Sequence, residues 1–317
     1  MGFKIQHGHA LTVLRALLEK SVRCCVTSPP YWGLRDYKSE PQVWGSEPGH
    51  VWRGVLGSEP TPAMYTENIV AVFREVRRVL RDDATLWLNL GDSYAANRSY
   101  QVPSTKGGAK HSPAQGDQSS NTVPPGLKPK DLIGIPWRVA FALQADGWWL
   151  RSDIIWSKPN QMPESVTDRP TKAHEYVFLL AKSKSYYYDA AAVAEQAIGQ
   201  NHHDRTGGRY TPPGQQPHTG SRKGLSGTTR NKRSVWSIAT RPYKGAHFAV
   251  FPEALVEPCV LAGSTEGDCV LDPFCGSGTV GVVALRHNRR FVGIDLNPDY
   301  VRMARLRIEE SLLAALD

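Results

Sequence analysis

The chain has 317 residues, 40% of them apolar, and carries 38 Lys and Arg against 30 Asp and Glu, a net charge of +8. That length buries a full core, and the positive field suits an anionic partner. No uninterrupted apolar stretch approaches the roughly 18 residues of a membrane span, and the segment Met1 to Gly8 is too polar for a signal sequence, so a soluble cytoplasmic protein is expected.

In chain order, Phe3 to His7 predicts a short strand, Leu11 to Leu18 a helix, and Val22 to Val26 a buried strand that stops at Thr27-Ser28-Pro29-Pro30-Tyr31-Trp32. Gly33 to Thr61, rich in Gly, Pro, Ser and Trp, reads as a long loop, of the kind that is either a functional lid or disordered. Glu67 to Leu80 is an amphipathic helix, Ala84 to Leu90 a strand ending in Gly91-Asp92, and Tyr94 to Lys130 a polar insertion. Trp44, Trp52, Tyr94 and Tyr100 lie in these loops, where their rings either stack on a partner or pack, with packing the favoured use.

A helix over Asp131 to Asp146 follows, then strands over Trp148 to Trp156 and Glu175 to Ala181, the latter with a hairpin partner in Tyr186 to Tyr188. Gly199 to Lys244 is the source of the excess charge: Arg205, Arg209, Arg222, Lys223, Arg230, Lys232 and Arg233 stand there against one acid, Asp204. Phe251 to Leu261 reads as a helix, Cys269 to Leu271 as a strand, Gly278 to His287 as a helix, Arg290 to Ile294 as a strand and Asp299 to Leu313 as a last helix. This closing strand-helix unit cannot make a stable sheet by itself, so it must pair with the N-terminal strands in a single doubly wound, mostly parallel α/β sheet. Cys24, Cys25, Cys259, Cys269 and Cys275 fall in apolar or strand-like runs without metal-ligand spacing, so no metal is expected.

Two constellations carry chemistry. At the elbow, Ser28 offers a hydroxyl, the segment around Pro29 and Pro30 offers backbone carbonyls, and Tyr31 offers a flat apolar face. Such a set suits an aromatic amine, because two acceptors take its hydrogens and free the nitrogen lone pair for attack. The second is Asp272-Pro273-Phe274-Cys275-Gly276-Ser277-Gly278-Thr279, with Asp295 closing the next strand. Glycines between strand and helix bring backbone close to a ligand, and an acid after the following strand can hold ribose hydroxyls. Gly276, Gly278 and Gly281 also satisfy GxGxxG, which leaves a nicotinamide dinucleotide open; Asp272 beside Phe274 favours adenosyl-methionine, which has no pyrophosphate to neutralise.

With elbow, basic stretch and glycine unit in this order, the sequence resembles the β-class amino DNA methyltransferases, whose SPPY or DPPY precedes, and whose FxGxG follows, the target-recognition region. The resemblance covers nearly the whole chain and implies a Rossmann-like methyltransferase fold in circularly permuted order, with loop insertions forming a DNA-recognition region. It implies a catalytic half over 1–198 with insertions at 33–61 and 94–130, a recognition insert over 199–244 and an S-adenosyl-methionine-binding half over 245–317. Ser28, Pro29, Pro30 and Tyr31 match the catalytic motif; Asp272, Phe274, Gly276, Gly278, Thr279 and Asp295 match the cofactor site, with Phe251 and Pro252 in its capping segment from His247. Trp156 to Asn160 and His174 to Tyr176 resemble the family's sheet motifs.

What the resemblance implies is methyl transfer from S-adenosyl-methionine to adenine N6 or cytosine N4 of a flipped base in double-stranded DNA, in a restriction-modification setting and by a homodimer. The seven basic residues named above would contact DNA. Two departures stand out: His9 follows Gly8 where the family commonly has an acid, and Ser28 stands where adenine enzymes often have Asp. The alternatives are an RNA or protein-glutamine methyltransferase using the same elbow, and a non-catalytic DNA-binding protein. Cys259 lies in an apolar helical pattern and reads as core rather than as a nucleophile for cytosine C5.

Overall fold

Adjacent residues on the central strands point to opposite sides, and that alternation builds two separate cores. Cys25, Leu86, Leu88, Leu180 and Leu271 face one side; Cys24, Trp87, Leu179 and Val270 face the other. The computed structural model describes residues 2–34, 39–45, 51–95, 123, 126–197, 229–240 and 251–314. Its elements in order are β1 (Phe3–His7), α1 (Ala10–Ala16), β2 (Val22–Thr27), β3 (Gln42–Trp44), β4 (Trp52–Gly54), α2 (Pro62–Val79), β5 (Leu80–Leu90), α3 (Ile135–Ala145) and β6 (Trp149–Ser157). Then come β7 (His174–Ala181), β8 (Glu195–Gln196), β9 (Thr229–Arg230), β10 (Val235–Ser237), α4 (Glu253–Gly263), β11 (Cys269–Asp272), α5 (Thr279–Arg286), β12 (Arg290–Asp295) and α6 (Pro298–Leu313).

One eight-stranded sheet runs β1-β12-β11-β2-β5-β7-β6-β10. All its pairings are parallel except those of β7, which lies antiparallel to both β5 and β6. Helices α1, α2 and α3 supply the core on one face and α4, α5 and α6 the core on the other, which is the expected doubly wound architecture. The decisive join is β11 beside β2, with Val270 opposite Cys24 and Leu271 opposite Cys25. It sets the glycine loop and the proline elbow at neighbouring carboxyl ends, where open α/β sheets bind ligands.

Several boundaries differ from the sequence reading, each for a local reason. Tyr186 to Tyr188 form no hairpin strand, because β7 already has a partner on both edges; Tyr187 N–H donates instead to Asp83 O at 2.9 Å. Helix α2 starts five residues early, at Pro62, since Thr61 Oγ1 accepts the Met64 N–H at 3.2 Å and proline fits the first helical turn. Helix α3 starts late because Asp131 and Ile133 bond to Ala95 and Ser93. Asp92 Oδ1 then accepts the Gly134 and Ile135 N–H groups at 3.0 Å each.

The loop after Gly33 holds the hairpin β3–β4, with Trp44 only 3% exposed. The basic stretch supplies β10, the edge strand that pairs with β6 and buries Trp236. Among the described residues no helix is long and apolar enough to cross a membrane.

Candidate active site

The elbow follows directly from β2, and its first residue ties the two halves of the site together. Thr27 Oγ1 donates to Asp272 Oδ1 at 2.6 Å, linking the elbow strand to the glycine-loop strand. Two prolines then stop the ladder, and the chain turns so that Ser28, Pro29, Pro30 and Tyr31 all line one cavity of about 620 Å³. The same cavity is lined by Phe251, Asp272, Phe274, Gly276, Thr279 and Asp295. Its size is that of an ordinary small-molecule site.

Tyr31 is held by hydrogen bonds at its hydroxyl. It donates to Glu175 Oε2 at 2.8 Å, lies 3.0 Å from Asn89 Oδ1 and accepts from Ser28 Oγ at 3.2 Å. Asn89 Nδ2 also reaches Glu175 Oε2 and the Tyr176 carbonyl, and Lys158 Nζ pairs with Glu175 Oε1 while lying 4.3 Å from the centre of the Trp156 ring. Gly91 is required here: a Cβ at that position would come within 2.6 Å of the Tyr31 ring. Behind the elbow, Tyr65 Oη donates to the Pro30 carbonyl at 2.8 Å, Trp32 Nε1 to the Glu59 carbonyl at 2.9 Å, and Gly33 N–H to the Gly57 carbonyl at 2.8 Å. Glu59 is itself fully buried, accepting from Gly57 N–H and Asn68 Nδ2, and burial pushes its carboxyl above the usual range.

At the other end the chemistry is anionic. Burial raises Asp272 to about 7, against the opposing bonds from Thr27 and the Phe274 N–H. Asp295 accepts from Gly276 N–H and Asn297 N–H at 2.8 Å each, and burial raises it to about 6. Among the described lining residues Lys158 is the one Lys or Arg, and it is engaged by Glu175 at the elbow end. Among the described lining residues a pyrophosphate would therefore meet a buried and a half-buried carboxylate and no free cation. An α-ammonium, a sulfonium and ribose hydroxyls find the partners they need, so the donor set fits S-adenosyl-methionine and disfavours a dinucleotide.

Some expected site residues stand elsewhere. Gly278 and Pro252 do not line the cavity; Gly278, at φ 78°, is the turn before α5, and a Cβ on it would lie 2.9 Å from Ala304 Cβ. Arg230 and Arg233 both pair with Glu195, at 3.5 and 2.9 Å, and Lys232 Nζ lies 5.2 Å from the centre of the Trp236 ring. Arg205, Arg209, Arg222 and Lys223 lie outside the described residues, as do Tyr100 and the segment 247–250. Cys259 is 1% exposed, and burial keeps its thiol protonated.

His9, the departure from the family pattern, lines the cavity with its ring edge-on to Trp44 at 4.6 Å. Burial and then Arg15 lower its pKa, so the ring is neutral at pH 7. Sequence reasoning missed the Thr27–Asp272 tie, and it missed Asn89 and the Lys158–Glu175 pair as parts of the Tyr31 network. Asn89 was legible as the inward residue two positions before Gly91 at a strand end.

The comparisons agree with this geometry. The Type II methyltransferase M.Cfr9I of Citrobacter freundii is 48% identical over 309 residues, 97% of this chain and 88% of that protein. The Type II methyltransferase M.SmaI of Serratia marcescens is 46% identical, over 96% of this chain and 90% of its own length. In fold, the PvuII DNA methyltransferase (cytosine-N4-specific) superposes with a TM-score of 0.63 at 18% identity, covering 97% of this chain and 86% of that one. A putative DNA modification methylase of Thermus thermophilus, in complex with S-adenosyl-methionine, gives 0.58 at 21% identity, over 98% and 94%. The DNA methylase pattern of N6 and N4 amino methyltransferases matches residues 22–306, and the chain belongs to that family of S-adenosyl-methionine-dependent DNA methyltransferases.

Proposed function

We propose that the chain methylates N4 of a cytosine flipped out of a specific duplex DNA site. The observation that carries this reading is the shared cavity, which Ser28 and Tyr31 line together with Asp272 and Asp295. Ser28 presents a neutral hydroxyl in place of a carboxylate, and the PvuII enzyme of similar fold is cytosine-N4-specific. Adenine N6 is the competing outcome.

When bound, S-adenosyl-methionine supplies a methyl group activated by its sulfonium. The protein's part is positioning. Ser28 Oγ and the Pro29 carbonyl accept the two amine hydrogens; the Pro30 carbonyl is already taken by Tyr65. That draws the lone pair out of conjugation and aims it at the methyl carbon, while the base lies against Tyr31. Asp272 holds the α-ammonium, Asp295 the ribose hydroxyls, and Phe274 and Phe251 wall the site, with Gly276, Gly278 and Thr279 shaping the loop.

Residues 199–244 serve as target-recognition insert, with Arg205, Arg209, Arg222, Lys223, Arg230, Lys232 and Arg233 meeting phosphates and base edges. Residues 1–198 then form the catalytic half and 245–317 the cofactor half. By the same resemblance the protein acts as a homodimer, which light scattering would test. The bacterial origin of the relatives supports a cytoplasmic setting, with modification of a Type II site.

The test is transfer of labelled methyl from S-adenosyl-methionine to duplex DNA, followed by nucleoside analysis. Label in N4-methylcytosine, lost in Ser28→Ala, is the expected result. Label in N6-methyladenine would move the target base, and labelled RNA or protein without labelled DNA would overturn the reading.

A further inference from the structure

A base that leaves a duplex for a pocket leaves a gap in the stack. Enzymes and architectural proteins that open base steps commonly fill such gaps with an apolar side chain. A residue fit for that task must stand at the mouth of the pocket, be exposed before DNA arrives, and be carried on backbone stiff enough to press against a stacked base. Met162 meets all three conditions.

It lines the same cavity as Ser28 and Tyr31 and is yet 77% exposed. Among the described lining residues it is the one large apolar side chain left in water; Trp44, Leu56 and Trp156 are all buried. An unbranched thioether is also suited to lying against the faces of neighbouring bases.

The segment that carries Met162 joins β6 to β7 and is tied at several points. Lys158 N–H donates to the Ala173 carbonyl at 2.8 Å, closing the base of the loop, and the Lys158 ammonium is pinned to Glu175. Asn160 is clamped to Thr240 through both ends of its amide: Nδ2 donates to Thr240 O at 2.8 Å, and Oδ1 accepts from Thr240 N–H at 2.9 Å. Pro159 sits within the turn closed by Gln161 N–H on the Lys158 carbonyl, and Pro163 follows it. Farther along, Arg169 pairs with Glu164 and lies 3.8 Å from the centre of the Tyr94 ring, and Lys130 binds Asp168 at 2.7 Å. So many anchors are not needed to expose one methionine; they are what a wedge needs.

We propose that Met162 enters the duplex at the position vacated by the target base and so holds the flipped state open. It is a positioning residue and touches no reacting atom. The inference rests on the base-flipping reading above, and its test separates the two. Single-turnover methyl transfer is measured on a duplex bearing one site that the wild-type protein methylates, and on the same duplex with an abasic analogue opposite the target base. The abasic partner weakens the stack and makes a wedge dispensable.

The expected result is that Met162→Ala is slower by about tenfold or more on the paired duplex and close to wild type on the abasic one. Met162→Leu should keep most of the rate on both, and the dissociation constant for S-adenosyl-methionine should not move in either variant. Equal slowing on both duplexes, or no slowing on the paired one, overturns the wedge. If the wild-type protein methylates no duplex at all, the flipping reading itself fails. Should Met162→Ala misfold, as a lost affinity for the cofactor would show, Met162→Gln keeps the length, removes the apolar surface and gives the same readout.

Discussion

The two ends of the cavity are prepared for their ligands in opposite ways. At the elbow, polar groups are joined to one another: Tyr31 to Ser28, Asn89 and Glu175, Glu175 to Lys158, and the Pro30 carbonyl to Tyr65. At the glycine loop, a buried and a half-buried carboxylate have no Lys or Arg beside them among the described lining residues, and both are pushed up the pH scale by desolvation. The first arrangement fixes geometry before the base arrives, which is how positioning catalysis works. The second leaves a charge deficit that a cationic ligand relieves on binding. Turnover should therefore depend on the elbow and affinity for the cofactor on the carboxylates, and mutations at the two ends should separate cleanly.

The largest effect belongs to the group that meets the reacting nitrogen. Ser28→Ala should lower the methyl-transfer rate by about 10²–10³-fold, the scale of losing one preorganised partner of a reacting atom. Cofactor affinity, measured by calorimetry, should stay within about twofold. A fall in both quantities would erase the contrast between the ends.

Next in size is the carboxylate end. Asp272→Asn should weaken cofactor binding by about 10- to 100-fold and leave the rate at saturating cofactor less affected. The pH dependence has a definite sign. Asp272 must be ionised to hold an ammonium, and in the free protein it titrates near 7, with Asp295 near 6. Affinity should rise as pH goes from about 5 to about 8, by up to about tenfold per unit for each group below its pKa, and Asp272→Asn should flatten the curve. Raised acid pKa values also mean that the folded protein holds protons which the unfolded chain has released above about 4. The free protein thus loses stability as pH rises through that window, and the melting-temperature shift on adding cofactor should be larger at pH 8 than at pH 6.

Third is the linker of the elbow network. Glu175→Gln keeps the shape but removes the charge that faces Lys158 and the acceptor of the Tyr31 hydroxyl. A loss of about tenfold in turnover is expected, as for a group that orients a reacting partner through one other side chain. Cofactor affinity should be unchanged.

The sequence showed these two ends unequally, for a physical reason. The glycine loop and its acids lie within one continuous run of chain, so spacing alone exposes them, and a single doubly wound sheet followed from a closing unit too small to stand alone. The elbow was visible through its prolines. Its network was not, because Asn89, Lys158 and Glu175 come from three different strand ends and meet Tyr31 only through the order β2-β5-β7-β6. Tyr186 to Tyr188 misled for the complementary reason: an aromatic run favours a strand, but the strand beside it had no free edge. Trp44 was legible in kind, as packing, while its neighbour His9 could be placed only once the β3–β4 hairpin was folded under it.

The smallest effect tests whether the elbow owes its shape to bonds or to its prolines alone. Tyr65 lies fully buried on α2, and its hydroxyl holds the Pro30 carbonyl at 2.8 Å. Tyr65→Phe keeps the ring in the core and removes the hydroxyl with its bond to Pro30, at a cost of about 0.5–1.5 kcal/mol in unfolding free energy for that bond. Chemical denaturation should show a midpoint shift of that size with an unchanged slope. If the prolines alone set the turn, methyl transfer in this variant equals wild type. If the bond also steers which carbonyl is free for the amine, the Pro30 oxygen now competes with that of Pro29, and turnover drops by about two- to fivefold, less than 1 kcal/mol in barrier. The saturated end of the cavity predicts the second outcome, because a carbonyl released beside the reacting nitrogen offers it a second, unproductive place to bind.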